Sequence, residues 1–407
     1  MNVTKAPVKI CFVTTVPYQV HMFLETHILA LLPFAEVIIV TNADDRDICG
    51  LPPTLTDRVK VCNVRFRRAI RPLHDLDALF QLMKVLRYER PDIVLSMSPK
   101  AGLLCALAGW VLRVPIRGHW FTGQVWVNRQ GLMRGLLKWL DTLISKLSTN
   151  LLADSASQMD FLIAQDVAHS SKIEVLGSGS VCGVDTDRFH PNPILRSTVR
   201  RSYDIPDDAV LVLFVGRITP DKGVIEIAQA LQILSEAHVI IHAMLVGPDE
   251  GNVAEAIRLT SGSAFQRIVL TGYSERPESF MAAADFLVLP SYREGFGSTI
   301  IEAAACGIPA IGSRIYGVED AINDGETGLL VEPRNARQLA DAMHVLSTDR
   351  DLRIKLGRAA QDRALIHFRT AHLSAALVNY FDRLLRGIGR TGLLSNSATH
   401  PSCVTKP

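Results

Sequence analysis

An α/β chain built from two doubly wound parallel sheets is what this sequence predicts, on three observations. Short apolar runs alternate with helix-period stretches, and the alternation occurs twice along the chain. Between the two series lies a segment crowded with turn formers, Gly177-Ser178-Gly179-Ser180-Val181-Cys182-Gly183-Val184-Asp185 and then Pro191-Asn192-Pro193. With 407 residues the chain is long enough for two sizeable cores.

In order, the first series places strands at 10–16, 37–41, 59–64, 93–97, 114–117 and 150–153, with helical stretches between several of them. The second places them at 210–215, 239–246, 267–270, 286–290, 309–312 and 328–331. Fully apolar runs such as Val210-Leu211-Val212-Leu213-Phe214-Val215 suit parallel strands covered on both faces. The turn-rich segment sets the expected division: residues 1–185, residues 186–370, then a helix over 371–388. From 389 to 407 the Gly, Ser, Thr and Pro content predicts a disordered tail.

Composition narrows the function classes. A hydrophobic content of 48% with 21% charged residues is globular, and a net charge of +2 is no nucleic-acid signature. The seven cysteines (Cys11, Cys49, Cys62, Cys105, Cys182, Cys306, Cys403) are odd in number and contain no Cys-x-x-Cys. They are expected as thiols in a reducing compartment rather than a disulfide frame or zinc site. The N-terminus enters a strand pattern within about ten residues and carries no small-residue cleavage site, so no signal peptide is expected. The longest apolar stretch, from Ala101 to Leu112, is bounded by Lys100 and Arg113 and falls short of the roughly 18–20 residues that a bilayer requires.

Two strand-to-helix junctions carry the chemistry. After the run 286–290 come Ser291-Tyr292-Arg293-Glu294-Gly295-Phe296-Gly297-Ser298-Thr299-Ile300-Ile301-Glu302, with Ser298 placed to cap the helix that follows. Glycines admit close backbone approach, and the free N–H groups of a helix start attract phosphate. Glu302, about one turn into the helix, points back to the same edge. After the run 210–215 come Gly216-Arg217-Ile218-Thr219-Pro220-Asp221-Lys222-Gly223, and a helix pattern starts near Val224. There a guanidinium fork and a point cation stand a few residues apart, as neutralising a diphosphate leaving group requires. Two carboxylates flanking a phosphate cradle suit a ligand with phosphate in the middle and hydroxyls at both ends, the layout of a nucleotide sugar. Each Glu alone is equally readable as a solvated loop or helix-dipole residue; the two junctions together point to a ligand.

Gly216-Arg217-x4-Lys222-Gly223, then Glu294-Gly295-Phe296-Gly297 and Glu302 after seven intervening residues, resemble the C-terminal half of the retaining GT-B glycosyltransferases of family 4. Gly118-His119-Trp120-Phe121-Thr122-Gly123-Gln124-Val125-Trp126 is similar to the branch that builds bacterial capsules, O antigens and related lipid-linked glycans. The resemblance implies the GT-B architecture: two Rossmann-like domains facing a cleft, acceptor side in 1–185, nucleotide sugar in 186–370, and the last helix crossing back to the N-terminal domain. It implies that Arg217 and Lys222 hold the donor diphosphate, that Glu294 contacts the transferred sugar and Glu302 the ribose, and that His119 hydrogen-bonds the sugar. Gly216, Gly295, Phe296, Gly297, Ser298 and Thr299 would complete the donor site, with Tyr273 at a strand end where the base would stack on any aromatic face. One departure is plain: where many members carry Gly-Gly after the first strand, this chain has Pro17-Tyr18-Gln19, which suggests a loop serving the acceptor.

The expected activity is transfer of a sugar, an N-acetylhexosamine or deoxy derivative, from a UDP-sugar to a polyprenyl-diphosphate-linked saccharide. Transfer would proceed with retention by front-face attack and without a metal cofactor, since Asp44-Asp45-x-Asp47 lies in the wrong half for a nucleotide–metal site. Two other readings stand beside it: a nucleotide-sugar 2-epimerase of the same architecture and a catalytically silent sensor. A generic histidine at position 119 would be a satisfied structural residue; His21 and His27 are further acceptor-side candidates. The stretch from Gln130 to Leu147 puts Leu132, Leu136, Trp139, Leu140, Leu143 and Leu147 on one helical face, with Arg134, Lys138 and Lys146 opposite and Asp141 among them. It reads either as a surface helix packed on its sheet or, with the basic cluster Arg65-Phe66-Arg67-Arg68-Ala69-Ile70-Arg71, as a contact with an anionic membrane. The latter expects a cytoplasmic protein held peripherally at the inner face of the cell membrane.

Overall fold

The structure, a computed structural model, describes residues 7–43, 50–67 and 71–394. Asp44-Asp45-x-Asp47, the middle of the 65–71 cluster, Cys49 and Cys403 lie outside them. The chain forms two compact units. One takes the chain up to Asp154, then Met159–Gly177 and the stretch from Ala371; the other takes Ser155–Gln158 and Ser178–Thr370.

The first unit holds a seven-stranded sheet in the order β3-β2-β1-β4-β5-β6-β7. Its strands are β1 (Lys9–Val13), β2 (Glu36–Thr41), β3 (Lys60–Asn63), β4 (Ile93–Met97), β5 (Ile116–Phe121), β6 (Asn150–Ala153) and β7 (Ile173–Val175). Every neighbouring pair is parallel. β7 had no expectation in the sequence, because Ile173-Glu174-Val175 is too short to show a period. β5 starts two residues later than 114–117 and runs on to Phe121, so His119 sits inside the strand rather than after it. Val114 is buried just before the strand, which explains why its apolar character suggested an earlier start.

The second unit holds a six-stranded parallel sheet in the order β10-β9-β8-β11-β12-β13. These strands are β8 (Leu211–Val215), β9 (His242–Val246), β10 (Ile268–Gly272), β11 (Phe286–Leu289), β12 (Ala310–Ser313) and β13 (Gly328–Val331). Helices on both faces bury its apolar runs in one core, including Leu213, Phe214, Ile227, Met244, Phe286, Ile301 and Met343.

Apart from Ser155–Gln158, the second unit takes up the chain at Ser178, where 186 was expected. Val184 is the reason: its N–H donates to Phe368 O (2.7 Å) and its carbonyl accepts from Thr370 N (3.0 Å), and its side chain joins that unit's core. The helix Thr370–Gly387 then belongs, from Ala371, to the first unit. Ser374 bonds His27 (3.1 Å), Phe381 meets Phe12 (6.4 Å between rings), and Arg383 pairs with Glu174 (2.5 Å). Residues 389–394, expected as part of a disordered tail, are instead tied into the first unit. Arg390 pairs with Asp92 (2.5 Å), Leu394 N donates to Asp382 (2.9 Å), and Leu393 is fully buried. Residues 395–407 lie outside the described residues.

Candidate functional site

In an open parallel sheet, ligands bind at the carboxyl edge where strand order reverses. In the second unit that point lies between β8 and β11. After β8 the chain makes a short 3-10 turn, Pro220–Lys222, and then the helix Val224–Glu236. Gly223 joins them at φ +73°, and a Cβ there would lie 2.1 Å from Pro290 O, so only glycine lets this turn close against the end of β11. Tyr292 N donates to Asp221 O (2.9 Å), locking the two junctions together.

The result is a direct pair between two residues the motifs singled out: Lys222 Nζ lies 2.6 Å from Glu294 Oε1, both largely shielded from solvent. An ammonium has three donors, and this pair uses one of them. Arg217 is half exposed and pairs with Glu250 (3.1 Å), which follows β9. Burial acts to raise the pKa of Asp221. The Thr219 hydroxyl (2.6 Å) and the charges of Lys222, Arg293 and Arg217 outweigh it and hold that carboxyl below its ordinary range. Thus three cations converge on one short turn. Tyr292 O–H donates to Glu226 (2.5 Å) and its ring lies under Arg334 (4.5 Å), which fixes the segment that carries Glu294.

The two motif carboxylates are divided between different neighbours. Glu302, on the helix Ser298–Ala305, packs beside the helix Pro277–Ala283 and feels the charges of Arg188 and Glu278 rather than Lys222. Its pKa is pushed up to about 7, first by loss of water, then opposed by Arg188 and reinforced by Glu278. Glu278 is held by Arg188 (2.9 Å) and Arg276 (3.3 Å), three residues that sequence reasoning passed over because they belong to no motif. Tyr273 follows β10 and is 53% exposed, at the same end as Glu278.

One expectation needs correction. Ser298 is the first residue of its helix; the cap is Gly297, at φ +85°, with no side-chain cap, so the helix start offers bare N–H groups flanked by the Ser298 and Thr299 hydroxyls. Phe296 is a core residue, 2% exposed and against Phe368 (5.2 Å), so any ligand contact from it is through its backbone. Gly295 is pinned through its carbonyl, which accepts from the buried Ser155 hydroxyl (3.1 Å). Gly216 leaves β8 with its N–H donated to Val246 O (3.0 Å).

The first unit reverses its order between β1 and β4. There Pro17–Gln19 forms one helical turn and Val20–Leu24 a π-helix, a shape common at functional sites. Gln19 Oε1 accepts from Thr15 N (3.1 Å) and Thr15 Oγ1 (3.0 Å), and Thr15 Oγ1 lies 3.3 Å from Ser98 Oγ. On β5, His119 is 2% exposed and bonds Ser96 through Nδ1 (2.9 Å); burial drives its pKa down to about 3. His27 is fully buried among Ser374 and Trp120, and His21 pairs with Glu25 on the surface (3.2 Å).

The helix Gly131–Leu147 turns part of its expected apolar face outward, while Leu140, Leu143 and Leu147 are half-buried. Leu132 is 95% exposed, and Met133, Leu136 and Trp139 are also exposed. Its inward face is Ile144, Ser145 and Asp141. Asp141, expected on the solvated side, instead accepts from Trp126 Nε1 (2.7 Å), and burial lifts its pKa to about 6 despite that bond. Arg134 and Lys138 each lie 5.9 Å from the Trp126 ring. No described helix is long and apolar enough to cross a membrane, and no described group of three or more His, Cys, Asp or Glu could hold a metal ion.

The chain matches the model for glycosyl transferases group 1 over residues 196–363 and that for a glycosyl transferase 4-like domain over residues 32–179. It is 27% identical, over 79% of its length and 85% of the relative's, to the capsular polysaccharide biosynthesis glycosyltransferase CapM of Staphylococcus aureus. To an Escherichia coli UDP-Gal:α-D-GlcNAc-diphosphoundecaprenol α-1,3-galactosyltransferase it is 25% identical, over 70% of this chain and 74% of that one. The fold is shared with HepE of Anabaena, solved in complex with UDP and glucose: TM-score 0.72 at 17% identity, over 92% of this chain and 99% of that one. The chain is a glycosyltransferase with the α/β fold of the GT-B enzymes.

Proposed function

We propose that this glycosyltransferase moves a sugar, an N-acetylhexosamine or deoxy derivative, from UDP to a polyprenyl-diphosphate-linked saccharide during surface polysaccharide assembly, with retention of configuration. The observation that carries this reading is the Lys222–Glu294 pair at the reversal point between β8 and β11, with Arg217 on the same turn. Arg217 and Lys222 meet the diphosphate, the N–H groups ahead of Ser298 and Thr299 assist, and Gly216, Gly295 and Gly297 admit the ligand's backbone-side approach. Glu294 binds hydroxyls of the transferred sugar. Glu302, ionised above about pH 7, accepts from the ribose, toward the end where Tyr273 stacks the base. HepE binds UDP, and the E. coli relative acts on a diphosphoundecaprenol acceptor, which supports the same donor and acceptor classes here.

The acceptor hydroxyl oxygen attacks the anomeric carbon on the face from which UDP departs. The carbon–phosphate-oxygen bond breaks as the new glycosidic bond forms, and the hydroxyl proton passes to the departing phosphate. Positive side chains pre-placed at the leaving oxygen supply the stabilisation that a metal would otherwise give. The exposed apolar face of Gly131–Leu147, with Arg134, Lys138 and Lys146 on that helix, holds the enzyme against the anionic inner leaflet where such acceptors reside. The test is a panel of nucleotide sugars offered with polyprenyl-diphosphate sugars, in excess EDTA. Transfer from a UDP-sugar with the α/β configuration unchanged is expected. Inversion, a requirement for added magnesium or manganese, or release of an epimerised sugar without acceptor would overturn it.

A further inference from the structure

We infer that the amino edge of the first unit's sheet carries a second binding site, a basic cleft that takes a phosphate-bearing anion. The site lies wholly within the first unit and is independent of the reading of the donor site.

The cleft is open to solvent and encloses about 690 Å³, within the roughly 300–1,000 Å³ usual for small-molecule sites. Three stretches remote in the chain build it. Lys9 opens β1, Asp92 immediately precedes β4, and Arg390 follows the helix Thr370–Gly387. The end of the helix Pro72–Glu89 supplies the rest. Five cations and two carboxylates line the cleft, a surplus of three positive charges. Both carboxylates are already engaged. Glu89, buried at the helix end, pairs with Lys60 (2.6 Å). Asp92 accepts from Arg390 (2.5 Å) and from the Lys9 N–H (3.0 Å), while the Lys9 ammonium lies 3.5 Å from Glu36. The surplus is therefore Lys84, Arg87 and Arg90, whose side chains pair with no described residue.

Lys84 and Arg87 stand three residues apart and share a helical face. Arg90 is the helix C-cap at φ +49°, a left-handed position where glycine or asparagine is the usual choice. The negative end of the helix dipole accounts for one cation in the last turn. It does not account for three unpaired cations around one concavity, which repel one another until an anion joins them. Two planar guanidinium forks beside an ammonium match the oxygens of a phosphate, which carries about −1.5 to −2 as a monoester near neutral pH. Tyr88, 80% exposed, adds an aromatic wall for the organic part of such a ligand. The same helix also exposes Leu73, Leu76 and Phe80, with Phe80 one turn before Lys84, so a lipid headgroup and a soluble phosphate are both accommodated. Thr15 and Ser98 follow the other ends of β1 and β4. Each strand has five residues, which at ~3.3 Å per residue puts the two edges roughly 15 Å apart. An occupant of the cleft does not reach those loops; it ties the start of the sheet to the C-terminal segment.

The experiment uses the full-length enzyme carrying Arg217→Ala and Lys222→Ala, which removes the proposed donor clamp, and titrates inorganic pyrophosphate calorimetrically. Binding should persist. Adding Lys84→Gln, Arg87→Gln and Arg90→Gln should weaken it on the order of 10–100-fold, through loss of charge-assisted hydrogen bonds, with the circular dichroism spectrum unchanged. If the triple change disturbs folding, Arg87→Gln alone should still weaken binding. A parallel arm sediments the enzyme, with its donor clamp intact, on phosphatidylcholine vesicles containing phosphatidic acid. Retention that falls with the cleft substitutions identifies a lipid headgroup as the source; a fall in pyrophosphate binding alone identifies a soluble phosphate. With the donor clamp intact, the cleft substitutions should leave turnover on a soluble acceptor unchanged. Pyrophosphate binding and vesicle retention that both ignore the cleft substitutions overturn the inference. So does a hexaglutamate peptide held as tightly as pyrophosphate, which would make the cleft a dock for an acidic protein segment.

Discussion

The two reversal points, β1/β4 in the first unit and β8/β11 in the second, share an architecture and differ in chemistry. The second is charged and internally paired: Lys222 with Glu294, Arg217 with Glu250, Arg293 with Asp221. The first is built from hydroxyls and an amide, Thr15, Gln19 and Ser98, beside a buried neutral imidazole. Charge that must be countered during bond cleavage calls for fixed cations. In the proposed reading the second edge meets the departing diphosphate and the first the acceptor, so the side chains at each edge, not the shared strand-turn-helix geometry, set the task.

The largest effect that would break this contrast is on turnover. Arg217→Ala and Lys222→Ala should each lower it tens- to thousands-fold, from ~2–4 kcal/mol of transition-state stabilisation per oriented donor, with the circular dichroism spectrum unchanged. Near-normal turnover by the double variant would mean that the charge of the second edge is structural.

A moderate effect should separate the surface of the first unit from its sugar chemistry. Changing Arg134, Lys138 and Lys146 together to Glu removes cationic attraction of about 1 kcal/mol each near an anionic membrane. Vesicle sedimentation should show release, and transfer to a long-chain lipid acceptor should fall while transfer to a short soluble analogue persists. High salt should act likewise, because exposed charges are screened within roughly 10 Å at 0.1 M. Equal loss on both acceptors would make the helix purely structural; unchanged vesicle binding would exclude it from membrane contact.

The smallest effect concerns Glu302. Its folded pKa, about 7, lies above the ordinary value of 4.5 because burial disfavours the charged carboxylate. The protonated form is therefore no burden at low pH. A cost to stability develops as pH rises from 4.5 and is complete once pH exceeds about 7. Glu302→Gln should raise Tm by several degrees at pH 8 and leave it unchanged near pH 4, while weakening UDP binding. A thermal-shift series with equal Tm differences at both pH values would rule out the buried carboxylate as the cause.

Legibility in the sequence followed the kind of interaction involved. Strands of the second unit were readable because runs such as Phe286-Leu287-Val288-Leu289 are buried on both faces and end at Pro and Gly. Lys222 and Glu294 were readable because each lies within seven residues of the end of such a run and within three of a glycine held at positive φ. Ser96, Ser155, Glu278 and Arg188 were not. Each acts on a residue 23 to 140 positions away, as in Ser96–His119 and Ser155–Gly295, and nothing local marks it. Asp141 was misread for a related reason: a helical wheel reports which residues share a face, but not which face meets the sheet.

By itself, then, the sequence determined the two parallel sheets, the junctions that carry the charged groups and the amphipathic character of Gly131–Leu147, since all of these arise from periodicity and from glycine and proline within a few residues. Tertiary structure alone decided where the second unit takes up the chain, through the Val184 bonds to Phe368 and Thr370. It also decided that His119 lies within β5 and is neutral, that Phe296 belongs to the core, and that the two motif glutamates face different neighbours. Burial and long-range pairing set those outcomes, and both depend on the packing of segments that are remote from one another along the chain.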